Sequence, residues 1–128
     1  MLTARLPAAA LATALLGVLL ATMFALPHRA FAHAVLMAST PAVESSVRAG
    51  QVAITLRYNS RIDRARSRVS LTRPDRTQSV LPVAADGPPD ALATSATLTP
   101  GAYVLHWQVL AIDGHITRGD VPFSVTAP

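Results

Sequence analysis

Gly101-Ala102-Tyr103-Val104-Leu105-His106-Trp107-Gln108-Val109-Leu110 is the stretch on which the fold turns. It follows a turn, Thr99-Pro100-Gly101, and then alternates strictly: Tyr103, Leu105, Trp107 and Val109 take one set of positions, Val104, His106, Gln108 and Leu110 the other. Successive side chains of an extended chain point to opposite faces, so a period of two spells a strand. Trp107 belongs to the buried set, where a small sandwich places its one large aromatic. His106, on the other set, reads as a solvent-facing strand histidine. The same alternation recurs upstream in Val52, Ile54, Leu56 and Tyr58, interrupted by Ala53, Thr55 and Arg57. That is a strand with one wet face.

Working outward, further short apolar runs are separated by turn residues: Val35–Ala38, Ser67–Leu71, Ser79–Val83, Ala93–Leu98 and Asp120–Val125. This spacing predicts an all-β sandwich or barrel. Asp86-Gly87-Pro88-Pro89-Asp90 reads as an irregular loop, and Asp63 to Arg68 is the one segment suited to a short helical turn. There is no internal repeat and no second domain.

The 128 residues carry a formal charge of +4 and 51% apolar content, but the two ends of the chain differ sharply. Residues 1–32 contain no acid and are dominated by Ala and Leu. Arg5 supplies a positive start, Ala8 to Leu26 an apolar run, and Ala30-Phe31-Ala32 the small residues of an export cleavage site. An uncleaved membrane anchor is the competing reading, since the run could span a bilayer. Pro27, the cleavage motif and the abrupt change of composition favour a Sec-type signal peptide over residues 1–32, cut after Ala32. His28 leaves with it. Residues 33–128 then form one small domain, marginally large enough for a core of its own.

From His33 onward there are nine arginines, no lysine and seven acidic residues, a formal +2. That balance, without an aromatic and basic stripe, argues against nucleic acid as a partner. Seven of those arginines fall between Arg57 and Arg76. They read as a solvated face protecting edge strands, with docking to an anionic surface or acidic partner as the functional alternative. The chain has no cysteine. Zinc-thiolate, iron–sulfur, thiol-redox and blue-copper chemistry are therefore excluded, and a bacterial periplasm suits the exported domain better than a disulfide-rich setting.

Two features carry chemistry. Cleavage after Ala32 would make His33 the first residue, with α-amine and imidazole able to close one chelate ring through the amine and Nδ1. An α-amine titrates near pH 8, so its use as a ligand needs little proton displacement. Left alone, such a residue is a frayed terminus. Asp113-Gly114-His115 follows the Trp107 strand, and the glycine allows a turn tight enough to aim the carboxylate and the imidazole into one space. The bland alternative is a polar β-turn. Joined, His33, Asp113 and His115 offer three nitrogens and one oxygen, a set that suits tetragonal Cu(II). Zinc accepts the same donors, but its closed structural sites are usually tetrahedral and thiolate-containing. Asp120 reads as a loop or strand-end acid; an outer hydrogen bond to a ligand imidazole is the alternative, and nothing in the sequence selects it.

The chain resembles the CopC family of periplasmic copper-resistance proteins. His33-Ala34-Val35-Leu36 with Ser39-Thr40-Pro41-Ala42 is similar to that family's mature start, and Gly101 to His115 resembles its G-x-Y-x-V-x-W-x-V-x-S-x-D-G-H segment, continued by Gly119, Phe123 and Val125. The resemblance implies a seven-stranded Greek-key β-sandwich of cupredoxin-like or immunoglobulin-like type. It also implies Cu(II) held by His33, Asp113 and His115, a role in copper resistance, uptake and homeostasis, and a CopD-type inner-membrane transporter as partner. Two departures stand out. Some members have a glutamate after the second strand in an F-S-E pattern, whereas this chain reads Tyr58-Asn59-Ser60. Some have a methionine-rich Cu(I) loop, whereas only Met37 remains after residue 32.

The expected function is a non-enzymatic, monomeric copper(II) carrier or buffer. The alternatives are an Ig-like interaction module whose D-G-H is only a turn, and a histidine-brace copper oxidase. Hydrolase motifs are absent.

Overall fold

The computed structural model describes residues 7, 9, 12–18 and 33–128. The chain divides into two compact units, Met1–Ala30 and Phe31–Pro128. In the first, residues 12–18 are helical. The expected cleavage motif Ala30-Phe31-Ala32 lies outside the described residues. Among the described residues no helix is long and apolar enough to cross a membrane.

Eight strands make up the second unit: β1 (Leu36–Thr40), β2 (Ser45–Arg48), β3 (Gly50–Tyr58), β4 (Ile62–Thr72), β5 (Gln78–Leu81), β6 (Ala91–Leu98), β7 (Gly101–Ala111) and β8 (Ile116–Thr126). They form a Greek-key β-sandwich with sheets ordered β1-β3-β6 and β2-β8-β7-β4-β5. The strand count corrects the expected seven. The additional strand is β2, four residues with Val47 as their one aliphatic, paired parallel to the end of β8. It is held by that edge rather than by a buried face of its own, so it carries no apolar alternation to read.

The alternation along β7 is realised in full. Tyr103, Leu105, Trp107 and Val109 are buried, and the side chains between them are half-buried on the outer face. On β3, Val52, Ile54, Leu56 and Tyr58 face them across the sandwich, and together with Leu71, Leu92, Leu98, Val121 and Phe123 they form one core. Trp107 lies in this core, its ring edge-on to Tyr58 at 5.3 Å between centroids. Gly119 sits directly opposite Trp107 in the β7–β8 ladder. A Cβ there would meet the indole at 2.4 Å, so glycine is what allows the tryptophan to lie across β8.

Asp63 to Arg68 is not a helical turn. It is strand β4 with a bulge, the register against β7 jumping between Asp63 and Arg68. The Ser67 hydroxyl closes the bulge, donating to the Asp63 carbonyl at 2.6 Å and accepting from the Leu110 N–H at 3.3 Å. Two of the arginines here are engaged locally. Arg64 turns onto the loop before β6, donating to the carbonyls of Ala85, Gly87 and Pro88, and Arg66 pairs with Asp63.

Candidate metal centre

The β7–β8 hairpin ends in a tight loop. Leu110 and Ile116 are its last paired residues. Beyond them the His115 carbonyl accepts the Ala111 N–H at 2.8 Å, and the Ala111 carbonyl accepts the Gly114 N–H at 2.9 Å. Gly114 has φ +88°, a conformation open to glycine at little steric cost. With the chain turned this way, Oδ1 of Asp113 accepts the His115 N–H at 3.0 Å, the side-chain-to-backbone turn typical of Asp.

This leaves Oδ2 of Asp113 for other work. It is buried, with His115 Nδ1 beside it at 3.1 Å as an ion-pair contact, and it makes no regular hydrogen bond among the described residues. The carboxyl is held below the usual aspartate range, chiefly by the His115 backbone N–H. Desolvation opposes this, while the His115 imidazole and the charge of His33 add to it. Asp113 is therefore an anion with one oxygen fixed and the other facing imidazole. Its side chain is 11% exposed, against 51% for His115.

His33 arrives from the far end of the chain. Ala34 is buried to 2% exposure. The peptide joining Ala34 to Val35 is bonded on both sides: its carbonyl accepts from Thr117 Oγ1 at 2.9 Å, and its N–H donates to Asn59 Oδ1 at 2.7 Å. The Asn59 N–H donates in turn to the Val35 carbonyl at 3.0 Å. Held one residue further on, the His33 ring packs edge-on to His115, with 4.6 Å between centroids and 87° between planes.

The three residues singled out from the sequence thus converge. His33, Asp113 and His115 each offer a donor atom, and these atoms lie within 4.8 Å of one another. A buried carboxylate oxygen set against two imidazoles is chemically suited to a cation. His106 stands apart from this cluster on the outer face of the larger sheet, Nδ1 2.6 Å from Asp120 Oδ1 and Nε2 2.8 Å from Thr72 Oγ1. Asp120 therefore steadies His106 and not a member of the cluster. Asn59 and Thr117 were missed. Tyr58-Asn59-Ser60 drew attention only for the carboxylate it lacks, and nothing local marks Thr117. Ser60, at the place of that carboxylate, has a buried hydroxyl with no partner among the described residues.

Residues 36–126 match the CopC domain family. The match begins three positions after His33. Protein YobA of Escherichia coli (strain K12) is 32% identical over 110 residues, covering 74% of this chain and 80% of that protein. Copper resistance protein C of Xanthomonas campestris pv. juglandis is 33% identical over 105 residues, covering 75% and 82%. Among solved structures, CopC from Methylosinus trichosporium OB3b is similar with a TM-score of 0.66 and 25% identity, over 74% of this chain and 95% of that one. PcoC, a methionine-rich copper resistance protein from Escherichia coli, has the same fold with a TM-score of 0.63 and 24% identity, over 74% and 100%.

Proposed function

This chain belongs to the CopC family, and on that premise we propose that residues 33–128 are the exported form and hold one Cu(II) ion between His33, Asp113 and His115. Processing after Ala32 gives His33 a free amine, so three residues supply three nitrogens and one carboxylate oxygen, the donor set that Cu(II) favours. The observation that carries this reading is the convergence of residues eighty positions apart on the buried Oδ2 of Asp113. Asp113, held ionised, supplies the countercharge, and the exposed imidazoles supply exchangeable donors.

The copper is cargo. Both histidines are exposed, so the ion lies at the surface of the sandwich, where a buffer or carrier can receive it and give it up. An oxidase would need an open coordination position and a surface that presents substrate, and with Asp113 as an additional ligand a domain of this size has little room for either. The role is periplasmic copper handling in resistance or uptake, by a monomer that passes the ion to a CopD-type inner-membrane transporter. Met37 is the one methionine from His33 onward, so a second, thioether Cu(I) site of the kind soft ligands build is not part of this reading.

Electron paramagnetic resonance of the Cu(II)-loaded exported protein tests the proposal. Coupling to three nitrogens is expected, alongside a mass that begins at His33. An exported chain starting elsewhere, or a spectrum with one nitrogen, overturns it.

A further inference from the structure

The peptide between Ala34 and Val35 is gripped before strand β1 begins. Its oxygen accepts from Thr117 Oγ1 at 2.9 Å, its N–H donates to Asn59 Oδ1 at 2.7 Å, and the Val35 carbonyl accepts the Asn59 N–H at 3.0 Å. The first regular β1–β3 pair, Leu36 with Tyr58, lies one residue further along. The two side chains come from different sheets. Asn59 follows β3 of the three-stranded sheet, and Thr117 lies in β8 of the five-stranded sheet, two residues after His115. Ala34 adds a third hold, its methyl buried at 2% exposure. A chain terminus is ordinarily the least ordered part of a domain. Here the last fixed peptide is one residue from His33, and consecutive Cα atoms are about 3.8 Å apart, so neither the amine nor the imidazole of His33 can travel far from Asp113 and His115.

We infer that Asn59 and Thr117 are positioning residues for the N-terminal ligand, a clamp that presets the His33 arm over the Asp-Gly-His hairpin before copper arrives. The inference rests on the Cu(II) reading given above. The clamp is uncharged, bonds the Ala34–Val35 backbone, and acts by removing the ordering cost that a free arm would meet on binding. Outer contacts that orient ligands have measurable weight in metal affinity, about 10- to 100-fold. Each of these two hydrogen bonds accounts for roughly 2- to 10-fold.

The experiment uses residues 33–128, which contain the whole described core, as wild type, Asn59→Ala, Thr117→Val and the double variant. Asn59→Asp keeps the acceptor and Thr117→Ser keeps the donor. Cu(II) affinity is measured by chelator competition, nitrogen coordination by electron paramagnetic resonance, and the clamp itself by exchange of the Val35 amide without metal. The double variant should lose about 10- to 100-fold in affinity and one or more coordinated nitrogens at equal copper loading, with a fast-exchanging Val35 amide. The Asp and Ser variants should stay within about threefold of wild type. A double variant with unchanged affinity and nitrogen count overturns the clamp. So does failure of the Asp and Ser variants to equal degree, or an unprotected Val35 amide in the wild type. If the wild type binds no Cu(II), or binds it as well without His115, the preceding reading fails, and Val35 exchange still decides whether the arm is held.

Discussion

Replacing His115 with Ala separates metal binding from folding more sharply than any other single change. The backbone of residue 115 makes the hairpin's bonds: its carbonyl accepts from Ala111 and its N–H donates to Asp113 Oδ1. Both survive the substitution. The lost side chain is 51% exposed and belongs to no core cluster, so the stability change should stay within about 0.5 kcal/mol, a shift of roughly 2–4 °C for a domain of this size. Loss of a donor should exceed the cost of disturbing an outer contact, so Cu(II) affinity should fall by more than about 100-fold, ~2.7 kcal/mol. His106→Ala is the mirror image. It removes contacts to Asp120 and Thr72 on the outer face, which should cost about 1 kcal/mol of stability and leave copper affinity unchanged. Thermal unfolding and chelator competition on both variants read the two effects independently. The reasoning is refuted if His115→Ala retains wild-type affinity, or if His106→Ala loses it.

Three further outcomes are expected. One additional residue before His33 turns its amine into an amide, and Cu(II) affinity measured by competition should drop at least about 10-fold, with one nitrogen fewer in the paramagnetic spectrum. Protons compete for imidazole and amine donors, so bound Cu(II) should be released as pH falls below about 6. Asp113 is held below the usual carboxylate range, so it stays ionised through that release. Its stabilisation of the apo hairpin is complete above the unfolded aspartate range and is lost only as pH falls through the lower, folded value. An acid titration by circular dichroism should therefore show the fold outlasting copper binding. Gly119→Val places a side chain where a Cβ already meets the Trp107 ring at 2.4 Å. It should destabilise the domain by about 1–3 kcal/mol and shift tryptophan emission to the red, as equilibrium unfolding in urea would record.

Where the sequence could be read, one face of an element is buried and the other wet. Strands β3 and β7 satisfy that condition along their length, so Val52 to Tyr58 and Tyr103 to Val109 declare themselves. Strand β2 has no such face because the edge of β8 holds it. Asp63 to Arg68 is expected by sequence to form a short helical turn, yet the strand continues there because Ser67 satisfies the bulge from within. The cluster was legible for a different reason. Asp-Gly-His is a local turn motif, His33 follows the expected cleavage motif, and both stretches resemble motifs of the CopC family. Asn59 and Thr117 act only through contacts between distant segments, and an Asn after a strand or a Thr within one carries no local sign of its partner.

On the proposed Cu(II) reading, the exposure pattern of the cluster also bears on how the ion should leave. His33 and His115 face solvent, whereas Asp113 is nearly enclosed and bonded to its own hairpin. If Cu(II) is held as proposed, an incoming ligand would approach from the histidine side while the carboxylate keeps its hold, so the metal need never be released naked into water. Exchange should then be associative: transfer of Cu(II) from the loaded protein to a small imidazole- or amine-bearing chelator should proceed at a rate rising linearly with chelator concentration. Disturbing the arm should speed that step, since a displaced His33 would return more slowly from a mobile segment than from one held at Ala34 by Thr117 and Asn59. Stopped-flow absorbance of the Cu(II) band follows the transfer directly. A rate independent of chelator concentration would mean that spontaneous dissociation is the slow step, and the surface position of the two imidazoles would then have no part in delivery.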